Sequence, residues 1–194
     1  MEWMESSDAA VVAQVLGGER DLFRVLVERH SRAVFRLAYR MMGNEQDAED
    51  VVQETFLKAY RNLKGFEERA SFSTWLYRIT SNCALDSIRK RHKHEQRREP
   101  EPLAESEIVA QLPAGDPLPD RLMLSAEIGQ RVSAALEALS PMERAAFVLR
   151  HYQGCSIEEI GAILGLQASA TKNSVFRAVQ KLRHSLEPLH LKCE

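Results

Sequence analysis

Residues 47–66 read DAEDVVQETFLKAYRNLKGF, and residues 71–91 read SFSTWLYRITSNCALDSIRKR. In the first stretch Ala48, Val51, Val52, Thr55, Phe56, Ala59, Tyr60 and Leu63 recur at helical spacing, with Asp47, Asp50, Glu54, Lys58 and Arg61 on the other side. This predicts an amphipathic helix ended by Gly65, which can take a left-handed conformation there. In the second stretch a helix is predicted from near Ser73 through Trp75, Leu76, Ile79 and Cys83 into a basic run. Upstream, Phe23, Leu26, Val27, His30, Val34, Leu37, Ala38 and Met41 form another stripe, ended by Gly43. No strand-like alternation is convincing anywhere, so the fold class is all-α.

Downstream lies EPEPLAESEIVAQLPAGDPLPD, residues 99–120, with six acids, no base and five of the seven prolines. It reads as an acidic, Pro-rich linker holding at most a short helical piece around Glu105 to Leu112. Helical patterning resumes with Ile128, Val132, Ala135, Leu136 and Leu139. Ser140-Pro141-Met142-Glu143 is a capping box with proline where no N–H is needed. That helix stops near Gly154, and Ser156-Ile157-Glu158-Glu159 opens a second one ending at Gly165. The last helix is predicted over about 168–186, with Val175, Ala178, Val179, Leu182 and Leu186 inward and Pro188 beyond its end. The expected layout is two small helical domains, residues 1–95 and 125–194, joined by a linker over 96–124.

Composition narrows the function. The 194 residues hold 26 Lys+Arg against 28 Asp+Glu, a formal charge of −2, which excludes a uniformly basic nucleic-acid binder. The charge is segregated instead. Residues 45–54 carry five acids and no Lys or Arg, 89–98 carry six bases against Glu95 alone, and 168–184 carry four bases and no acid. Such blocks suit two polyanion-facing surfaces and an acidic strap. Cys83, Cys155 and Cys193 have neither zinc nor disulfide-framework spacing, so no cofactor or metal is expected and a reducing cytoplasm is the simplest home. Cys83 reads as a small core residue, His30 as a core or domain-surface histidine and not a metal ligand, and Phe72 and Trp75 as core aromatics. No run reaches a membrane span, and the acidic N-terminus is not a signal peptide, so no membrane insertion is expected.

Two capped helices joined by Gly165-Leu166-Gln167 have helix-turn-helix proportions. The second presents Gln167, Ser169, Thr171, Lys172, Asn173, Arg177 and Lys181 opposite its apolar stripe, as base edges and phosphates require.

Residues 47–66 and 71–91, with GCSIEEIGAILGLQASATKNSVFRAVQKLR at 154–183, resemble the sigma-70 family of bacterial transcription initiation factors. More narrowly they are similar to the extracytoplasmic-function (ECF) sigma factors, which have only regions 2 and 4. The resemblance implies promoter recognition as a subunit of core RNA polymerase, with contacts to the β′ clamp coiled coil and the β flap. It implies that Asp47, Asp50, Gln53, Glu54 and Tyr60 face the polymerase. An acidic helix face with an aromatic also suits a basic protein partner better than DNA. The loop from Gly65 is implied to capture a base of the −10 element. Phe66 and Arg69 supply a ring and a planar cation, and Glu67, Glu68 and Ser71 supply hydrogen-bonding groups. Asn82, Asp86, Arg89 and Lys90 are implied to lie along the adjoining duplex, and the last helix to read the −35 element. There Ser174 stands where relatives commonly carry arginine, while Lys172 and Arg177 match. An anti-sigma factor, which can hold such a chain at the inner membrane, is a further implied partner.

Two rivals predict different features. An autonomous helix-turn-helix regulator would need a ligand pocket or dimer face and leaves the acidic Asp47–Glu54 face unexplained. An enzyme would need a phosphate-cradling glycine loop, a nucleophile beside a base, or a metal cluster, and the sequence offers none.

Overall fold

In the computed structural model the described residues are 6–67, 70–95, 129 and 131–190. The expected linker over 96–124, with its helical piece at 105–112, lies outside them, as do Glu68 and Arg69. The helices are α1 (Asp8–Leu16), α2 (Phe23–Met42), α3 (Glu45–Arg61), α4 (Phe72–Glu95), α5 (131–137), α6 (Pro141–His151), α7 (Ile157–Leu164) and α8 (Ala168–His190). Short 3₁₀ turns occupy Arg20–Leu22 and Leu63–Gly65, and no strand occurs among the described residues.

Local chemistry sets the starts. Ser140 and Ser156 each complete the capping box foreseen for α6 and α7. The Asn44 side chain accepts from the Asp47 N–H at 2.8 Å to open α3. Two helix ends depart from expectation. α3 stops at Arg61, and Gly65, not left-handed, donates its N–H to the Asn62 carbonyl inside the 3₁₀ turn. α8 runs through Pro188 to His190; proline's fixed φ is helical, and near a terminus it forfeits only one bond.

α1 has no counterpart in the expectations. Ser7 caps it, and Val11, Val12 and Val15 are buried. Asp8 binds Arg29 at 2.9 Å and His30 Nε2 at 2.8 Å, fastening α1 to α2. These valines join Leu26, Val34, Phe56, Phe72 and Leu76 in one core cluster.

The other large cluster crosses between the two units. Leu37, Met41, Met42, Val51, Leu85 and Ile88 pack with Ala145, Val148, Leu149, Ile160 and Ile163. Leu37, Met41, Val148, Leu149 and Ile160 are completely buried there, and each such side chain is worth about 1.5–3 kcal/mol. The polar links across the seam are lesser. Thr74 Oγ1 donates to Glu159 at 3.4 Å, and the Arg40 guanidinium lies 3.9 Å over the Tyr152 ring. Arg144 is the exception: buried to 8% exposure, it donates to the Met41 carbonyl at 2.8 Å, placing a cation at the C-terminus of α2.

The α7–α8 turn is set by close approach. Gly165 takes φ +68°, and at Gly161 a Cβ would lie 2.8 Å from the Leu166 carbonyl oxygen. That carbonyl is backbone and cannot swing aside. Gly161→Ala should therefore cost about 1–3 kcal/mol, and Gly165→Ala about 1–2 kcal/mol, as shifts of the urea midpoint at unchanged slope.

Candidate functional site

Three surfaces carry the residues singled out by sequence. On α3, Asp50, Gln53 and Glu54 are exposed, and Tyr60 is 42% exposed with its edge against Phe23. Leu57 lies among them at 51% exposure. Its place four residues after Gln53 and three before Tyr60 was the available signal, hidden because any single leucine on a polar face is ordinary. Beside this face a groove of about 480 Å³ runs between α2 and α3, lined by Arg32, Phe35, Val52 and Gln53 among others. Asp47 does not belong to the open face. It accepts from Asn44 Nδ2 at 2.8 Å and pairs with Arg91 at 3.0 Å, tying the start of α3 to the end of α4.

The second surface surrounds the loop after α3. Phe66 is half-buried, with ring centroids 5.4 Å from Phe72 and 5.6 Å from Trp75. Phe72 is buried and Trp75 half-buried, so both are chiefly packing groups. A cavity of about 350 Å³ opens here between Phe66, Glu67, Thr74, Trp75 and Arg78 on one side and Ala162 and Ile163 of α7 on the other. Thr74 and Arg78 were not foreseen; they sit one turn apart at the start of α4 and reach the loop only once it folds back. Glu67 is exposed. Ser71 is committed to a fold role: its hydroxyl caps α4, accepting from the Thr74 N–H at 3.1 Å. Further along α4, Asn82, Arg89 and Lys90 are exposed, and Asp86 pairs with Arg89 at 2.7 Å.

The third surface is α8. Gln167, Ser169, Lys172, Asn173 and Arg177 are exposed, and Ser174 is half-buried. Two residues of the set also hold the fold. Thr171 is completely buried, its hydroxyl donating to the Gln167 carbonyl at 3.0 Å. Lys181 donates to Glu143 at 2.7 Å, pinning α8 to the first turn of α6. Burial opposes ionisation of Glu143, but the Lys181 ammonium and the Ser140 hydrogen bonds outweigh it and hold the carboxyl below its usual range. Phe176, 63% exposed between Asn173 and Arg177, joins the face unforeseen. Among the described residues no cluster has the makings of a metal site, and no helix is long and apolar enough to cross a membrane.

A helical unit with an open acidic face is thus followed by a unit that ends in a basic helix-turn-helix. The Sigma-70 region 2 profile matches residues 26–94, and the Sigma-70, region 4 profile matches residues 129–182. The chain is 36% identical over 190 residues to the ECF RNA polymerase sigma factor SigE of Mycolicibacterium smegmatis, covering 95% of this chain and 71% of that one. It is 32% identical to SigW of Bacillus subtilis (92% and 96% covered) and 35% identical to the sigma-E factor of Escherichia coli (94% and 96%). Among solved structures it is similar to CnrH in complex with the cytosolic domain of CnrY, at TM-score 0.66 and 30% identity over 94% of this chain and 99% of that one. It is similar also to RpoE in complex with the anti-sigma factor NepR from Bartonella quintana, at TM-score 0.69 and 29% identity over 85% and 96%. The chain belongs to the ECF sigma factors of the sigma-70 family.

The buried thiols are structural. Cys155, 5% exposed, has its thiol pushed up to about 11 by burial, with the Glu159 carboxylate adding to the effect. Burial also raises the Cys83 thiol, although Lys58 Nζ lies 3.5 Å away. An unfolded thiol ionises near pH 9 and the folded Cys155 thiol does not. Stability present below pH 9 is therefore lost as pH climbs towards 11, by about 2–3 kcal/mol for Cys155. Urea unfolding at pH 8 and 10.5 should show this loss in the native chain and a smaller one in Cys155→Ala.

Proposed function

We propose that the chain is an alternative sigma factor that joins core RNA polymerase, directs it to a particular set of promoters, and is restrained by an anti-sigma factor. The observation that carries this is the pairing of two open faces of opposite character, Asp50–Tyr60 on α3 and Lys172–Arg177 on α8, within an ECF sigma chain. Asp50, Gln53, Glu54, Leu57 and Tyr60 form the polymerase face, which docks on the β′ clamp coiled coil, and the C-terminal unit meets the β flap. Carboxylates around an exposed leucine suit a basic, ridged protein surface. Phe66, Glu67 and their neighbours Glu68 and Arg69 receive a base of the −10 element, beside Trp75 and Arg78. Asn82, Arg89 and Lys90 follow the adjoining duplex. Gln167, Ser169, Lys172, Asn173 and Arg177 address the −35 element, with Ser174 at its edge.

The solved structures of CnrH with the cytosolic domain of CnrY and, above all, of RpoE with the anti-sigma factor NepR support an anti-sigma partner here. Residence in the cytoplasm, with retention at the inner membrane through that partner, follows. The chain contributes recognition, and the chemistry of RNA synthesis belongs to the polymerase.

Charge reversal of Asp50 and Glu54 to lysine should abolish capture of core polymerase while helix content stays unchanged. Exposed acids contribute little to folding, whereas repulsion at an interface costs several kcal/mol. Normal assembly by the double variant would refute the docking face. Lys172→Ala and Arg177→Ala should weaken −35-dependent transcription. A lost phosphate contact acts at every promoter and lowers the salt slope by about 1, whereas a lost base contact costs about 1–3 kcal/mol at one position. Unchanged transcription from both variants would remove α8 from the groove.

A further inference from the structure

The seam between the units leaves a cleft of about 410 Å³, in the size range of small-molecule sites. Its wall joins Asn44, Arg91 and His92 of the N-terminal unit to Glu137, Pro141 and Arg144 of the C-terminal one. Positive potential reaches it from several directions. Asn44 is the N-cap of the 17-residue α3, and Pro141 is the first residue of the 11-residue α6. Arg91 and His92 are exposed at the end of α4, and Arg144 is 8% exposed. Four carboxylates answer these charges: Glu45 and Asp47 in the first turn of α3, Asp47 paired with Arg91, Glu143 in the first turn of α6, and Glu137, whose field reaches Arg144.

Arg144, which lines the cleft, is incompletely hydrogen-bonded. Its Nη1 donates to the Met41 carbonyl, but its buried Nε has no hydrogen-bond partner. A buried donor left empty typically costs about 1–3 kcal/mol, more for a charged group. Burial disfavours the guanidinium most, the Glu137 carboxylate favours it, and the neighbouring Arg91 charge disfavours it to a lesser degree. An anion seated between Arg144 and Arg91 would favour both guanidinium groups.

We propose that this cleft binds a small anion bearing phosphate groups, either an inorganic polyphosphate or the phosphates of a nucleotide, and that bound anion holds the two units together. Arg144 and Arg91 grip it, and Glu137 and the Asp47 carboxylate paired with Arg91 are the groups it must work against. On the reading of the loop cavity given above, the ligand favours the packed form, in which Ala162 and Ile163 wall the cavity beside Phe66.

The test titrates the full-length chain with inorganic pyrophosphate and, separately, with adenosine triphosphate, at fixed ionic strength with a sodium chloride control. Saturable heat and a raised thermal midpoint are expected from at least one probe. Arg91→Gln and His92→Gln should each weaken binding about tenfold, the scale of one charge-assisted contact. Glu137→Gln should tighten it, which a merely structural loss would not do. Pyrophosphate binding identifies an inorganic source as sufficient, and binding of the triphosphate alone identifies a nucleotide. Absence of saturable binding by both probes, an equal response to chloride, or indifference to the Arg91, His92 and Glu137 substitutions overturns the proposal. A chain that captures core polymerase normally yet binds neither probe sinks this site while leaving the sigma-factor reading intact.

Discussion

The apolar seam between α2–α4 and α6–α7 is the constraint on which the remaining arrangement rests. Each unit holds a cluster of its own, and a further one is shared: Leu37, Met41 and Ile88 meet Val148, Leu149 and Ile160 across the seam. Burial of such side chains at about 1.5–3 kcal/mol each far exceeds what the 3.4 Å Thr74–Glu159 bond contributes. Arg144 makes the seam specific. A buried guanidinium on the α2 terminal carbonyl tolerates little sliding, because displacement would leave both groups without partners.

Orientation of the surfaces follows from that seam. Because α6 and α7 cover the inner sides of α2 and α4, the outer side of α3 stays open, with Asp50, Gln53, Leu57 and Tyr60 in solvent. α8 packs on α6 through Ala178 and Leu182, which turns Lys172, Asn173, Phe176 and Arg177 outward. The loop cavity is different, since α7 forms its far wall. Two of the three surfaces are thus open in the packed form, and the third is shared between the two units.

The fold was largely legible in the sequence, because its signals are local. Apolar stripes and the Ser140 and Ser156 capping boxes are written within a few residues, and physics acts on them at that range. α1 escaped because its nine residues form a short apolar run whose docking depends on Asp8 meeting Arg29 and His30 over twenty residues away. The site was less legible for a related reason. Asp47, Ser71, Thr171 and Lys181 have the chemistry of recognition groups, and each is spent on the fold as an ion pair, a cap, a backbone bond or a pin. A polar side chain near a helix start has two competing uses, and only its distant neighbours decide between them.

That competition accounts for the charge pattern as well. The chain carries a formal charge of −2, yet its basic and acidic blocks are not equivalent in what they leave free. At the first turn of α6, Glu143 is consumed by Lys181 and Ser140, and at the first turn of α3, Asp47 is consumed by Arg91 and Asn44. Acids at helix starts are where the macrodipole favours them, so the fold claims them first. Lys172 and Arg177 sit on a face of α8 that turns from α6, where the geometry supplies no such claim. Asp50 lies a turn beyond the helix start, past the reach of the cap. The groups left for partners are therefore those that helix termini and the seam cannot use, and this selection converts a nearly neutral chain into one with separate acidic and basic faces.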